Sequence, residues 1–400
     1  MNNKILVYVT ALLLSLNSFS EEILLKNATI HTATNQGSLE NSDILIRDGY
    51  IVRIGENISS SSAIVVNLSG KEVSPGLIAP LSQLGIVEIG LVPETRDDTS
   101  NIYSAGLSID SAFNPSSTLI PYNLTGGVTL TLTSPSSSGL FSGMTSVFSL
   151  SGSLEESLVA SNIALSANIS GGEDSKAAKI LLLEDSLDIA SSMWRAWSPL
   201  PKNSYYSPRD LRAIKRVLKR EIPLVVKANR ASDILALIDL SKRKKIDLVI
   251  FGAAEGWRVA QQIASAKVPV IIQPIDNIPH SFNELGARLD NASLLHSEGV
   301  KILISSPETH NSYLSRQGAG IAVSYGLPWK EALKGLTKNI SEVFKLNKRG
   351  AIQEGYIADI IIWDGDPLEV TSFVDGVYLS GKKYPVENRS MRLKERYLIK

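Results

Sequence analysis

Between Pro223 and Leu346, short aliphatic runs alternate with stretches of helical periodicity. PLVVK precedes SDILALIDLSKRKK, DLVIF precedes EGWRVAQQIASA, VPVIIQ precedes FNELGARLDNASLLHSEG, and VKILIS precedes helical sequence to Leu346. The strand-like runs are continuous and rich in β-branched residues. That pattern belongs to a parallel sheet covered by helices, so four βα units are predicted in succession. Upstream, GVTLTLT (127–133) reads as an earlier strand of the same sheet, and helices are expected around 176–197 and from Ser207. Ser207-Pro208 supplies an N-cap and an N1 proline. The economical fold is an α/β one, a distorted (β/α)8 TIM barrel spanning 75–347, with chemistry expected at the C-terminal ends of its strands.

The two ends of the chain have a different period. DILIRDGYIVRIG (43–55) is a pair of alternating runs joined at Asp48-Gly49, a dipeptide that tolerates the positive φ of a type I′ hairpin turn. AIVVNL follows it, and ADIIIWDGDP with VDGVYLSGKKYP repeats the strand–turn–strand character near the C-terminus. One small β-sandwich domain is therefore predicted from 21–74 together with 348–390. The first twenty residues carry Lys4, an apolar stretch from Ile5 to about Leu16, and small residues at Ser18 and Ser20 ahead of Glu21 and Glu22. This is the pattern of a cleavable signal peptide (1–20), too short in its apolar part to span a bilayer, and it implies a secreted, periplasmic protein with no membrane anchor after cleavage.

Composition narrows the chemistry. Forty basic and forty acidic side chains balance, so no nucleic-acid partner is expected. Cysteine is absent, which excludes thiolate ligands, a Cys nucleophile and disulfides. Only four histidines occur, His31, His280, His296 and His310, which is few for a binuclear metal centre.

Several segments together resemble the amidohydrolase superfamily, in its imidazolonepropionase-like and Xaa-Pro dipeptidase-like branch. They are NATIHT…DILIRDGYIVRIG, SGKEVSPGLI, GGVT, GAAEGWRVA, AVSYGLPWKEALKGLTKNISEVFKL and GAIQEGYIADIIIWDGDPLEVTSFVDGVYLSGK. The resemblance runs from about Ile23 to Lys383, and its C-terminal part is the most specific. It implies a β-sandwich beside a distorted barrel, and hydrolysis of a carbon–nitrogen bond by metal-activated water. It further implies ligands from a His-x-His pair after strand 1, a carboxylated Lys or a Glu after strand 4, one His each after strands 5 and 6, and an Asp after strand 8. In this chain the strand 1 pair falls on Leu81 and Gln83, no bridging Lys is found near strand 4, Lys227 stands at the strand 5 His, Phe251 or Gly252 at the strand 6 His, and Pro307 at or beside the strand 8 Asp. No cofactor or metal is therefore expected, and the chain is expected to be a silent, degenerate member or an unconventional enzyme.

Substitute chemistry rests on a few residues. Lys227, Glu308 and His310 are the catalytic candidates, His310 as a general base with Glu308 orienting it. Structural roles for Glu308 and His310 stand beside that reading. Lys227 is a candidate to hold an anionic group or form a Schiff base, or else to pair with Glu255 across the barrel mouth. Gln83, Arg96, Glu255 and His280 are the ligand-binding candidates, and the serine-rich loop 133–143 is either a ligand wrap or a surface loop. The expected partners are a small molecule in the barrel mouth and a second chain, as a homo-oligomer or with a related amidohydrolase.

Overall fold

The computed structural model describes residues 22–137, 139–170, 174–192, 206–276, 278–307 and 309–398. The expected signal segment lies outside them. Strands run in chain order as β1 (Glu22–His31), β2 (Ser38–Arg47), β3 (Tyr50–Gly55), β4 (Ile64–Asn67), β5 (Glu72–Pro75), β6 (Leu77–Ser82), β7 (Val128–Thr133), β8 (Phe141–Ser149) and β9 (Leu158–Asn168). They continue as β10 (Leu224–Ala228), β11 (Leu248–Gly252), β12 (Val270–Ile272), β13 (Ile302–Ile304), β14 (Ile360–Trp363), β15 (Val374–Leu379) and β16 (Lys382–Tyr384). Among the described residues they form two eight-stranded sheets.

The first sheet draws on both ends of the chain, in the order β16-β15-β14-β5-β1-β2-β3 with β4 alongside β1. The link between the ends is the antiparallel ladder of β5 and β14, from Pro75 opposite Ile360 to Glu72 opposite Trp363. Asp48 (φ 50°) and Gly49 (φ 81°) make the predicted hairpin turn, and Ser380 (φ 47°) with Gly381 (φ 76°) makes its counterpart between β15 and β16. Alternate positions of these strands supply the core of the sheet: Ile23, Leu25, Ile44, Ile46, Val73 and Ile360 share one buried cluster.

The second sheet runs β6 to β13 in sequence order. It is a nearly closed barrel of the kind the resemblance implies. Among the described residues no ladder joins β13 to β6; instead the Ser305 hydroxyl donates to the Pro80 carbonyl at 2.9 Å. The uniform βα alternation expected of the barrel fails at one place. β8 is antiparallel to both β7 and β9. The reason is length: 134–140 and 150–157 are too short for the crossover that consecutive parallel strands require, which takes about a dozen residues or more. A second departure concerns the helix expected from Phe282. Residues 282–290 are turns, and the helix is confined to Asn291–Ser297.

The helix Pro208–Leu218 begins as the sequence predicts, with the Ser207 side chain accepting from the Asp210 amide in a capping box. Asp210 is buried and also accepts from the amides of Ser104 (3.1 Å) and Gly106 (2.7 Å), so one carboxylate fixes a helix start and a distant loop. Burial alone would raise its pKa, but the Ser207 hydroxyl and the amides of Gly106, Ser207 and Ser104 outweigh that and hold it below the ordinary value. A depressed folded-state pKa gives stability that is full above the unfolded value near 3.8 and is lost as pH falls through the folded value. We expect Asp210→Asn to cost about 2–3 kcal/mol at neutral pH, where hydrogen bonds to a charged group are broken. Urea midpoints of the two proteins should converge as pH falls below about 4; a gap that is constant with pH would refute the assignment.

Candidate functional site

Strand periodicity builds the barrel mouth. Leu132, Ala164, Val225 and Val249 belong to one cluster inside the barrel, together with Ile340 and Phe344, which close its opposite end. Two residues further along the same strands the inward positions are Ser134, Ser166, Lys227 and Phe251. They line a cavity of about 180 Å³ whose floor includes Leu81 and Val225 and whose wall includes Asn168. The ladder sets Lys227 opposite Phe251 on one side and opposite Asn168 on the other. The ambiguity between Phe251 and Gly252 thereby resolves: Phe251 faces the cavity.

Each sequence candidate now has a place. Leu81 is the extra residue where the β6–β7 register shifts, and it sits at φ 55°, a conformation that costs a non-glycine residue about 1 kcal/mol. Gln83 lines the cavity, its Oε1 accepting from the Thr309 hydroxyl at 2.7 Å and its amide nitrogen reaching the Ser134 carbonyl at 3.5 Å. Arg96 does not face the cavity: it grips buried Asp98 through two nitrogens, at 3.1 and 2.9 Å, and donates to the Gly90 carbonyl at 3.0 Å. The Asp98 hydrogen bond raises the guanidinium pKa above its ordinary value. Asp98 also accepts from the Ser136 hydroxyl, and its carbonyl accepts from the Ser136 amide at 2.8 Å. Arg96 is thus a positioning residue that holds the serine-rich wall of the cavity.

One expected pairing is not formed, and one partner of the other lies outside the described residues. Lys227 makes no ion pair with Glu255, because the Glu255 carboxylate accepts from the Ala231 amide at 3.1 Å, at the start of the helix Ala231–Lys244. Of the expected dyad, Glu308 lies outside the described residues, and His310 Nε2 is 2.6 Å from the Glu88 carbonyl, which fixes the proton on that nitrogen. His310 therefore ties two loops together. His280 stands outside the cavity, half exposed, with Nε2 2.5 Å from Asp276. His31 is held between Ser38 and Glu72 in the first sheet, and His296 lies on the helix Asn291–Ser297.

Sequence reasoning missed the hydroxyl relay beneath the cavity. Ser134 donates to Ser166 at 2.9 Å, and Thr145 lies 3.1 Å from the same oxygen. Thr145 and Ser166 come from β8 and β9, whose serine-interrupted sequences offer no long apolar run. Among the described residues no three His, Asp or Glu side chains come together. Leu81, Phe251 and Pro307 offer no side-chain donor, Gln83 offers one neutral oxygen, and Lys227 an ammonium. That set does not fit a zinc-type centre, which takes three or four converging N, O or S ligands.

Residues 207–383 match the model of the amidohydrolase family. The chain is 22% identical over 386 residues to amidohydrolase tasK of Hapsidospora irregularis, covering 85% of this chain and 39% of that protein. It is 39% identical over 102 residues to the D-hydantoinase of Geobacillus stearothermophilus, covering 26% of this chain and 20% of that enzyme. The chain thus spans well under half the length of these relatives. Among solved structures, an amidohydrolase from Thermotoga maritima MSB8 superposes with a TM-score of 0.81 at 24% identity, over 91% of this chain and 99% of that one. At that identity the likeness speaks for the fold.

Proposed function

We propose that this chain uses an amidohydrolase-type barrel to bind a small molecule at the barrel mouth, without the metal-dependent hydrolysis of a C–N bond that its family resemblance implies. One observation carries the reading: the inward positions at the strand ends hold Leu81, Gln83, Lys227 and Phe251 around a hydroxyl-lined cavity. A metal-activated water needs carboxylate or imidazole ligands to hold the ion and lower the water's pKa. These side chains supply neither. What they supply is a shaped cleft with an apolar floor and a few placed polar groups, which is the ordinary make-up of a small-molecule site.

Restoring two ligands alone does not restore a cage. In the Leu81→His, Gln83→His double variant, the positions of the strand 5, 6 and 8 ligands would still be Lys227, Phe251 and Pro307. The variant is expected to gain no hydrolysis. The test is elemental analysis of the purified full chain, followed by zinc titration and treatment with a chelator. We expect well under one zinc per chain, and a thermal midpoint that the chelator leaves unchanged. One tightly held zinc per chain, whose removal abolishes an amidase or dipeptidase activity, would return the protein to the metal hydrolases.

A further inference from the structure

Lys227 sits on the inward face of β10, two residues beyond Val225 in the barrel's interior cluster. Among the described residues no carboxylate lies within ion-pair distance of its ammonium, and the contact it does make is with the face of Phe251, 5.7 Å to the ring centroid. A partly buried cation with no counter-charge among the described residues leaves room for an anion from outside the chain. The cavity around it is lined by hydroxyls and side-chain amides, of which the Ser134 hydroxyl already donates to Ser166 and the Ser136 hydroxyl to Asp98. Ser134, Ser136, Ser137, Ser142, Ser166 and Asn168 line it, and among the described residues no acidic side chain does. Behind that wall, Asp98 is already paired by the two-nitrogen grip of Arg96. Asn168 has its Oδ1 engaged by the Ser170 amide at 2.8 Å, which fixes the side chain with its amide nitrogen as the free donor end.

We infer that the mouth binds a small organic acid with one carboxylate and a short apolar body. A single ammonium matches a single negative charge. The floor of Leu81, Val225 and Phe251 matches the apolar part, and the serine hydroxyls suit a hydroxyl or amine next to the carboxylate. The cavity, of about 180 Å³, suits a small molecule rather than a polymer. Cation–π contact with Phe251 holds the ammonium in place before the acid arrives, which lowers the ordering cost of binding.

The inference rests on the metal-free reading above, and the two fail separately. Stoichiometric zinc at the mouth would sink that reading whatever the acid does. A zinc-free chain indifferent to the acid would sink the inference alone. The probe is 2-hydroxy-3-methylbutyrate, titrated calorimetrically into the full chain, against its neutral amide and against inorganic phosphate. Saturable binding of the acid is expected, weakened at least about tenfold in the amide and in Lys227→Met, and largely kept in Lys227→Arg. Lys227→Met should leave the urea midpoint near that of the parent, so that lost binding is not lost folding. Equal binding of acid and amide, binding unchanged in Lys227→Met, tighter binding of phosphate than of the acid, or no saturable binding would each overturn it.

Discussion

Gly252→Ala should destabilise the protein by about 3–5 kcal/mol, far more than a glycine-to-alanine change on a surface turn. Gly252 ends β11 at φ 101°, a conformation that L-residues rarely adopt. An added Cβ would also lie 2.2 Å from Asn229 Oδ1 and 3.5 Å from the Ala228 carbonyl. Asn229 cannot yield easily, because it is buried and its amide nitrogen donates to Glu284 at 2.8 Å. Backbone strain contributes about 1–3 kcal/mol, and overpacking a similar amount. Gly37→Ala is the control that separates the two: Gly37 sits at φ 71° with nothing within 4 Å of the added carbon. Urea denaturation of both variants should show Gly37→Ala losing about 1 kcal/mol, the strain alone. Equal losses would mean that the clash at Asn229 is relieved at little cost. The result bears on function, since residue 252 is one of the two positions where the resemblance would seek a strand 6 histidine. A histidine there would clash before it could bind anything, whereas position 251 opens into the mouth.

What could be read in the sequence follows from the range over which its signals act. The Asp48-Gly49 turn and the Ser207-Pro208 helix start are set by residues in contact with their own neighbours, and both are present. The strands β10 to β13 are legible because each is apolar on both faces. β8 and β9 are not, since their strand character comes from the ladders β7–β8, β8–β9 and β9–β10 rather than from a continuous apolar run. The helix expected from Phe282 stops short for a tertiary reason: Glu284 is drawn to Asn229, 55 residues earlier. In the site, the inward placement of Lys227 follows from period-two counting. Its freedom from Glu255 does not, because the Ala231 amide that occupies Glu255 is visible only once the helix after β10 is in place. Gln83 and His310 lie furthest from what a sequence can show, bonded respectively to Thr309, 226 residues away, and to the Glu88 carbonyl, 222 residues away.

Trp363→Ala should be the most damaging single truncation, about 4–6 kcal/mol. Trp363 is fully buried at the end of β14, and truncating a buried Trp costs about 3–5 kcal/mol in lost apolar burial and residual cavity. Three further contacts fall with it. Its indole nitrogen donates to the Ser74 hydroxyl at 2.9 Å in β5. Its ring lies against Gly127 at the turn into β7, where an added Cβ would come within 2.4 Å of Cη2. The Arg316 guanidinium sits 5.1 Å from the ring centroid. Arg316 is itself buried, and desolvation lowers its pKa from the ordinary value. One of its terminal nitrogens donates to the carbonyls of Pro367, Glu369 and Ser372, and its Nε has no partner among the described residues. Removing the indole face leaves that cation with less to stabilise it, which adds about 0.5–2 kcal/mol. Trp363→Phe keeps most of the packing and loses the Ser74 bond, so about 1–2 kcal/mol is expected. Because the same side chain touches the sheet of the two chain ends and the first parallel pair of the barrel, the two should lose stability together. Urea unfolding of Trp363→Ala followed by far-UV circular dichroism should remain one transition at a much lower midpoint. A barrel that keeps its midpoint while the first sheet melts would show that Trp363 does not couple them.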